Sequence, residues 1–342
     1  MTLNERKLNI LAAIVKNYIE TGEPVGSKML CDMENMNLSS ATIRNEMSEL
    51  SELKLLEQPH TSAGRIPTLE GYRLYVDKLM NRYALSEEDK RHIDSMLPDF
   101  VDDPFRFMDE AGNALSELTR CAVISTTVAD KNGVIKKIDF FTLNRRTVMI
   151  VLVTSSGIVK SRNSRSDFDI TDTVIDHFSE LLQATVYNMP LSEFTSALVQ
   201  SLAAAAGDTV LIISPMLYTI YELVKDACET ELLLKGELNL LQHREFSGDR
   251  AKELFTLLNK RRSILSLLDT NDKELAVFLG LETEKSGLVP SSLVVARYNT
   301  GKKETGSIGV IGPYRMDYEH IIPSIEYFAE SIGRLLSETL SE

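Results

Sequence analysis

The segment Pro59-His60-Thr61-Ser62-Ala63-Gly64-Arg65-Ile66-Pro67-Thr68 restricts this chain more than any other. Leu55 to Gln58 before it and Ile66 to Thr68 at its end read as two short strands, with turn formers between them. Pro59 and Pro67 each lack the N–H that a sheet ladder needs, which confines the pair to an edge hairpin. Three helical stretches precede it. The first, about Leu3 to Glu20, carries Leu8, Leu11, Val15 and Tyr18 on one stripe. It ends at Thr21-Gly22-Glu23-Pro24, where Gly22 can take a left-handed cap and Pro24 cannot continue a helix. A short second helix starts at Ser27, read as its cap, and ends near Asn35-Met36-Asn37. The third runs from Leu38 to about Leu53. Three helices and then a small hairpin, within about 70 residues, are the layout of a winged helix-turn-helix module.

The third helix has two distinct faces. Ile43, Met47 and Leu50, at i, i+4 and i+7, form an apolar seam. Ala41, Asn45, Ser48 and Glu52 lie opposite, with Arg44 at the edge. Small residues permit close approach to a surface, and Arg and Asn are the side chains that read guanine and adenine edges in a major groove. An ordinary amphipathic surface helix has the same periodicity; the hairpin that follows is what favours a recognition helix. On that basis Ser39, Ser40 and Thr42 are expected to contact phosphate from the helix N-terminus. Arg44 and Asn45 are expected on base edges, with Ser48 on the same face. His60, Thr61, Ser62 and Arg65 are expected at the wing tip, where Arg65 would enter a minor groove or pair with phosphate. Glu49 and Glu52 are expected to point away from DNA.

Charge limits how such a module can bind. The 342-residue chain carries −13, and residues 1–82 contain ten Lys/Arg against eleven Asp/Glu. A broad basic footprint is therefore missing, and affinity must come from a few placed cations such as Arg44 and Arg65. The acidic remainder repels DNA and suppresses non-specific binding. The length implies two or three domains. No run of about 18 apolar residues suggests a membrane span, and the first residues lack a signal-peptide apolar region. Cys31, Cys121 and Cys228 are odd in number and far apart, as expected for a reducing cytoplasm.

Catalytic chemistry finds little footing. His60, His92, His177, His243 and His320 are scattered without metal-ligand spacing. Gly301-Lys302-Lys303 and Gly306-Ser307-Ile308-Gly309 lack the order of a phosphate-binding loop, and no nucleophile elbow is present. The expectation is a non-enzyme without a cofactor.

Beyond the hairpin, Thr68 can cap a helix through about Tyr83, with Tyr72, Tyr75, Val76, Leu79, Met80 and Tyr83 on a packing face. Ser86-Glu87-Glu88-Asp89 opens another helix, and Asp103-Pro104 opens one after a linker. Cys121 to Val128, Ile135 to Leu143, Thr147 to Val153 and Ile158 to Arg162 are strand-like. Asp172 to Glu229 is mostly helical, with Pro215 at a helix start and Thr209 to Ile213 open between helix and strand. One or two helices follow over Asp249 to Asp269, then strands at Leu275 to Leu281, Leu293 to Tyr298 and Ser307 to Ile311. Tyr318 to Leu340 is a helix broken or begun near Pro323. Strands, helices and strands again describe an α+β chain whose sheet domain is interrupted by an insertion.

Three segments carry a wider resemblance. They are Thr21-Gly22-Glu23-Pro24-Val25-Gly26-Ser27-Lys28 with Leu38 to Met47; Leu56 to Thr68 leading to Gly71-Tyr72-Arg73; and Gly306-Ser307-Ile308-Gly309-Val310-Ile311-Gly312-Pro313 with Arg315-Met316-Asp317-Tyr318. Together they resemble the HrcA family of heat-inducible transcription repressors, in order and over nearly the full length. The family pattern has Pro at the position of Ser40 and usually Asp at that of Glu46. The resemblance implies a winged-helix domain (1–83), a helical linker (84–104), a GAF-like domain (105–165 and 240–342) and an inserted dimerising domain (166–239). It also implies a homodimer on a double-stranded inverted-repeat operator upstream of chaperone operons, kept active by the chaperonin system and released when heat diverts chaperonin. The alternatives are a regulator gated by a small ligand in the GAF-like domain, or a C-terminal two-thirds that is only a dimer scaffold.

Overall fold

The computed structural model describes residues 3–33, 38–60, 63–98, 101, 103–127, 133–269, 273–283, 287–300 and 305–339. Helix α1 (Glu5–Thr21) is capped by the Asn4 side chain and stopped by Gly22, whose φ of 68° lets its N–H reach the Tyr18 carbonyl. Its buried face is Ile10, Leu11, Ile14 and Val15; Leu8 and Tyr18, expected on the stripe, are only half-buried. Helix α2 (Ser27–Cys31) has Gly26, not Ser27, at its N-cap position, and Ser27 makes no capping bond. The expected end of this helix at 35–37 lies outside the described residues. Helix α3 (Ser40–Glu52) is capped by Ser39 and buries Ile43, Met47 and Leu50, as its periodicity requires.

A tight reversal ends α3. The Lys54 N–H donates to the Ser51 carbonyl at 3.0 Å and the Leu55 N–H to the Leu50 carbonyl at 2.9 Å, with Leu50 and Leu55 both buried. This is a Schellman closure with Lys54, φ 59°, at the left-handed position that usually holds glycine. The chain then enters β1 (Leu56–Glu57), which pairs antiparallel with β2 (Ile66–Pro67) as Leu56↔Pro67 and Glu57↔Ile66. Gly64 is needed where this hairpin crosses the α1–α2 turn: a Cβ there would lie 2.3 Å from the Val25 carbonyl oxygen.

Helix α4 (Leu69–Leu74), capped by Thr68, runs into one π-helical turn over Tyr75–Leu79 and stops there. The expected continuation to Tyr83 does not form; Tyr83 lies outside the helix and is exposed. Two capped helices follow, α5 (Glu87–Met96) with a Ser86/Asp89 capping box and α6 (Pro104–Thr119) behind Asp103.

The remaining strands divide between two sheets. β3 (Ala122–Thr126), β7 (Leu232–Lys235), β8 (Leu275–Thr283), β9 (Gly287–Asn299) and β10 (Thr305–Pro313) form an antiparallel sheet in the order β7-β3-β10-β9-β8. Alternation places Val123, Val294, Ala296, Ile308 and Val310 against α6 and α12 (Tyr318–Thr339). Ala122, Ile124, Leu293 and Val295 face α10 (Asp249–Leu258) and α11 (Arg261–Asp269).

β4 (Ile135–Asn144), β5 (Thr147–Thr154) and β6 (Val159–Arg165) make a separate three-stranded sheet. Its Val148, Ile150 and Leu152 pack on α7 (Asp172–Val186), α8 (Ser196–Ala205) and α9 (Val210–Cys228) in a core of their own. The boundaries expected at 166 and 239 do not follow the cores. The break at 166 cuts β4–β6 from the helices they pack on, and β7, placed in the insertion, pairs with β3. Strand periodicity is the same in either sheet, so the sequence could not assign these strands.

Pro104 opens α6 as expected, whereas Pro215, expected at a helix start, lies inside α9, and Pro323, expected to break or begin a helix, lies inside α12. Among the described residues no single helix is long and apolar enough to cross a membrane. One buried cluster continues from Ile10 and Leu50 through Tyr72 and Tyr75 into Ile322, Phe328 and the five-stranded sheet. Lys54→Gly removes a left-handed side chain at the α3 terminus. It is expected to stabilise the fold by about 0.5–1 kcal/mol, seen as a higher denaturant midpoint at unchanged slope, since relief of strain outweighs the added unfolded-chain entropy.

Candidate nucleic-acid interface

The outer face of α3 is laid open by what holds its inner face. Ala41, Arg44, Asn45, Ser48 and Glu52 are exposed. Among the described residues Arg44 has no carboxylate partner and the Asn45 amide makes no side-chain hydrogen bond. At the N-terminus the Ser39 hydroxyl accepts the Thr42 N–H at 3.1 Å and lies 2.9 Å from the Thr42 hydroxyl. These two hydroxyls therefore order the first turn while staying near the surface. Ser40 has a different task. Its half-buried hydroxyl lies 3.0 Å from that of Ser27, joining α2 to α3.

On the inner face, the Lys7 ammonium of α1 lies 3.0 Å from both Glu46 and Glu49, and Arg6 lies 3.6 Å from Glu46. Glu49 first, then Glu46, hold the Lys7 ammonium above the ordinary lysine range. Both carboxylates are thereby turned toward α1. The pairing fixes Glu49, expected to point away from DNA, on the α1 side of the helix. Glu52 stays exposed at the far end of the helix, with no ion-pair partner among the described residues.

The wing divides the expected contact residues. His60 is exposed at the tip, where its carbonyl accepts the Ala63 N–H at 2.9 Å and the Gln58 amide closes on the Ala63 carbonyl at 2.9 Å. Thr61 and Ser62 lie outside the described residues. Arg65 is not at the tip. It is half-buried at the wing base, its Nε donating to the Ser51 hydroxyl at 3.0 Å and its backbone pairing in both directions with Val25 at 2.9 Å. An arginine in a turn-rich stretch suggests a solvated cation; the close approach at Gly64 brings this one against α3 instead.

The sequence reading passed over two contributors. Lys28 is exposed on α2 and has no acidic partner among the described residues, so the first helix of the pair adds a cation beside α3. The signal was its position, since that helix crosses the DNA backbone in helix-turn-helix modules. Lys7 was hidden because a lysine one position off an apolar stripe looks solvated. Elsewhere, a ligand sensor would need a cavity; one of about 490 Å³ lies between the five-stranded sheet and the β4–β6 unit, beside Met108, Ile158, Tyr298 and Leu336.

Comparison with known proteins agrees with this geometry. Residues 2–79 match the family model described as winged helix-turn-helix transcription repressor, HrcA DNA-binding, and residues 106–322 match the HrcA protein C-terminal domain. The heat-inducible transcription repressor HrcA of Clostridium botulinum (strain Eklund 17B / Type B) is 31% identical over 343 residues, covering 98% of this chain and 99% of that protein. That of Ruminiclostridium cellulolyticum is 33% identical over 345 residues, covering 99% of each. A crystal structure of a hypothetical protein shares the fold, with a TM-score of 0.70 at 23% identity over 99% of this chain and 100% of that one.

Lys7→Met leaves Glu46 and Glu49 facing one another with only the more exposed Arg6 beside Glu46. Its thermal midpoint is expected to fall, and Lys7→Met/Glu46→Gln to recover part of the loss. Equal midpoints for wild type and Lys7→Met in calorimetry would show that the clamp is idle.

Proposed function

The chain belongs to the HrcA family of heat-inducible transcription repressors, DNA-binding regulators and not enzymes, and we propose that it represses heat-shock chaperone operons as a homodimer on an inverted-repeat operator. The observation that carries this is the open Arg44–Asn45–Ser48 face of a helix fixed from behind. In the proposal α3 lies in the major groove, with Arg44 and Asn45 on base edges and Ser48 beside them. Ser39, Thr42 and Lys28 meet phosphates around the α3 N-terminus, where the helix dipole favours anions. His60, with Thr61 and Ser62, leads the wing to the neighbouring groove, while Ser40 and Arg65 act by holding α2 and the wing against α3.

The β4–β6 unit is the dimerising body in this reading, and the five-stranded sheet with helices on both faces is the GAF-like domain. Exposed large apolar side chains gather on the former: Phe141, Leu143, Val159, Phe168, Tyr187, Leu211 and Tyr218. Leu211 and Tyr218, seven apart on α9, share one helix face. In this reading such exposed apolar side chains contribute to the surface between protomers.

Release on heat stress follows from how the chain must fold. The Ser307 N–H donates to the Thr126 hydroxyl across 181 residues, because the insertion separates β3 from its partner β10. Such long-range pairing is slow and leaves apolar surface exposed while it forms. Chaperonin would raise the folded, DNA-competent fraction, and heat shock, by diverting chaperonin, would lower it. Refolding from denaturant is expected to recover more operator-binding protein with chaperonin than without; equal recovery argues against this control.

Arg44→Ala is expected to cost about 1–3 kcal/mol of operator affinity and to relax sequence preference. Gel-shift titration on operator and scrambled duplexes, with sedimentation of the complex, tests both parts. Unchanged affinities, or one chain per operator, would contradict the proposal.

A further inference from the structure

Three separate parts of the DNA-binding unit converge on one residue of the last helix. From α1, the Lys16 Nζ lies 3.0 Å from the Glu319 Oε2. From the π-helical turn after α4, the Tyr75 hydroxyl donates to the Glu319 Oε1 at 2.7 Å. From the segment beyond it, the Tyr83 N–H donates to the Glu319 main-chain carbonyl at 3.1 Å. All three oxygens of Glu319 are thus engaged by the same unit.

The carbonyl is free for Tyr83 because of Pro323. In a helix the carbonyl of residue 319 would accept from the N–H four residues on, and proline has none. The proline therefore leaves an acceptor at the start of α12, and Tyr83 fills it. The Tyr83 ring also stacks on His320, with centroids 4.6 Å apart.

The carboxylate contact is stronger than its neighbours. Burial pushes the Glu319 carboxyl up, but the bonds from Tyr75 and Lys16 outweigh it and hold the group below the ordinary glutamate range. Lys16 is raised in turn, chiefly by Glu319. A second ion pair across the junction, Arg82–Glu326, has side chains 56% and 40% exposed; Lys16 is as open, at 57%, but Glu319 is only 18% exposed and also accepts the Tyr75 hydroxyl. Solvent screens both cations, so what sets Glu319 apart is its burial and its convergence of three contacts, beside the single Arg73 bond to the Val277 carbonyl.

Helix α1 carries this fixed point to the DNA. Lys7 clamps α3 and Lys16 meets Glu319, nine residues later and about 13.5 Å along the same helix. We propose that Glu319 is a positioning residue: with Pro323 it latches the DNA-binding unit to α12 at one angle, and so sets the half-site spacing that the dimer accepts. The proposal rests on the dimer and inverted-repeat reading above. Two recognition helices held at fixed angles engage two half-sites together only where the spacer matches, and a loosened latch lets each arm search.

The test uses full-length chain and an inverted-repeat duplex recovered with it from a random-sequence pool. The spacer is varied one base pair at a time through a helical turn, and a single half-site duplex serves as reference. Wild type is expected to show a sharp spacing optimum. Glu319→Ala is expected to flatten it, the ratio of best to worst spacer falling by about tenfold while half-site affinity stays within about twofold. Glu319→Gln, which keeps an acceptor for Tyr75, is expected to stay nearer wild type. Tyr75→Phe deletes one hydroxyl from a well-packed ring and decides the matter should Glu319→Ala fail to fold. A wild-type spacing profile in both Glu319→Ala and Tyr75→Phe, or in Tyr75→Phe alone when the other does not fold, overturns the latch. A flat profile in wild type removes the two-fold reading itself, and is distinguishable because no substitution is involved.

Discussion

A buried lysine between two glutamates fixes the recognition helix. Lys7 reaches Glu46 and Glu49 from α1, and the apolar seam of Ile43, Met47 and Leu50 packs beside that contact. An apolar seam alone lets a helix roll by some degrees, because hydrophobic contact is non-directional. A cation set between carboxylates one turn apart is directional. It determines which side of α3 faces outward, and so which residues can meet a base edge.

The same contact resolves the charge problem. Residues 1–82 are slightly acidic, which argues against DNA binding if the charges are counted without regard to place. Place changes the count. Glu46 and Glu49 are bound to Lys7, and Glu23 lies 3.5 Å from Arg244. Arg44 and Lys28 are left outward and unpaired among the described residues. On α3 two of the three acids, Glu46 and Glu49, are turned inward to Lys7 while Glu52 stays exposed, so Arg44 meets less negative charge than the count suggests, and the overall −13 keeps repelling DNA that offers no specific contact.

Local features of the fold were legible in the sequence because their causes are local. The caps at Asn4, Ser39, Thr68, Ser86 and Asp103 are each a side chain and an amide within one turn. The hairpin followed from two prolines and the alternation around them. What was missed depends on residues distant in sequence. Arg65 looked solvated because nothing near it in the chain shows that Ser51 and Val25 lie against it. Strands β4–β6 could not be assigned to a sheet, because their alternation fits either one. Pro323 read as a helix boundary because the partner that uses the orphaned carbonyl, Tyr83, is far upstream. The outward face of α3 was legible, but the Lys7 clamp and the Glu319 contact behind it were not. Residues on an exposed helix face were easier to read than the buried contacts that aim that face.

The DNA-binding unit is not tethered through a free linker. Its core continues through Tyr72 and Tyr75 into α12 and the five-stranded sheet, so the two parts share buried surface. The orientation of a helix at residues 40–52 thus depends on a helix at residues 318–339. That helix packs on β9 and β10, and β10 in turn pairs with β3 from before the insertion. Local unfolding under α12 would release Glu319 while leaving α1 to α3 packed among themselves. Under the two-fold reading, the first loss on heating is then the angle between the two arms, ahead of the fold of either arm. A repressor that must match two half-sites is sensitive to that angle, so repression would fail at a lower temperature than the one that melts the DNA-binding unit.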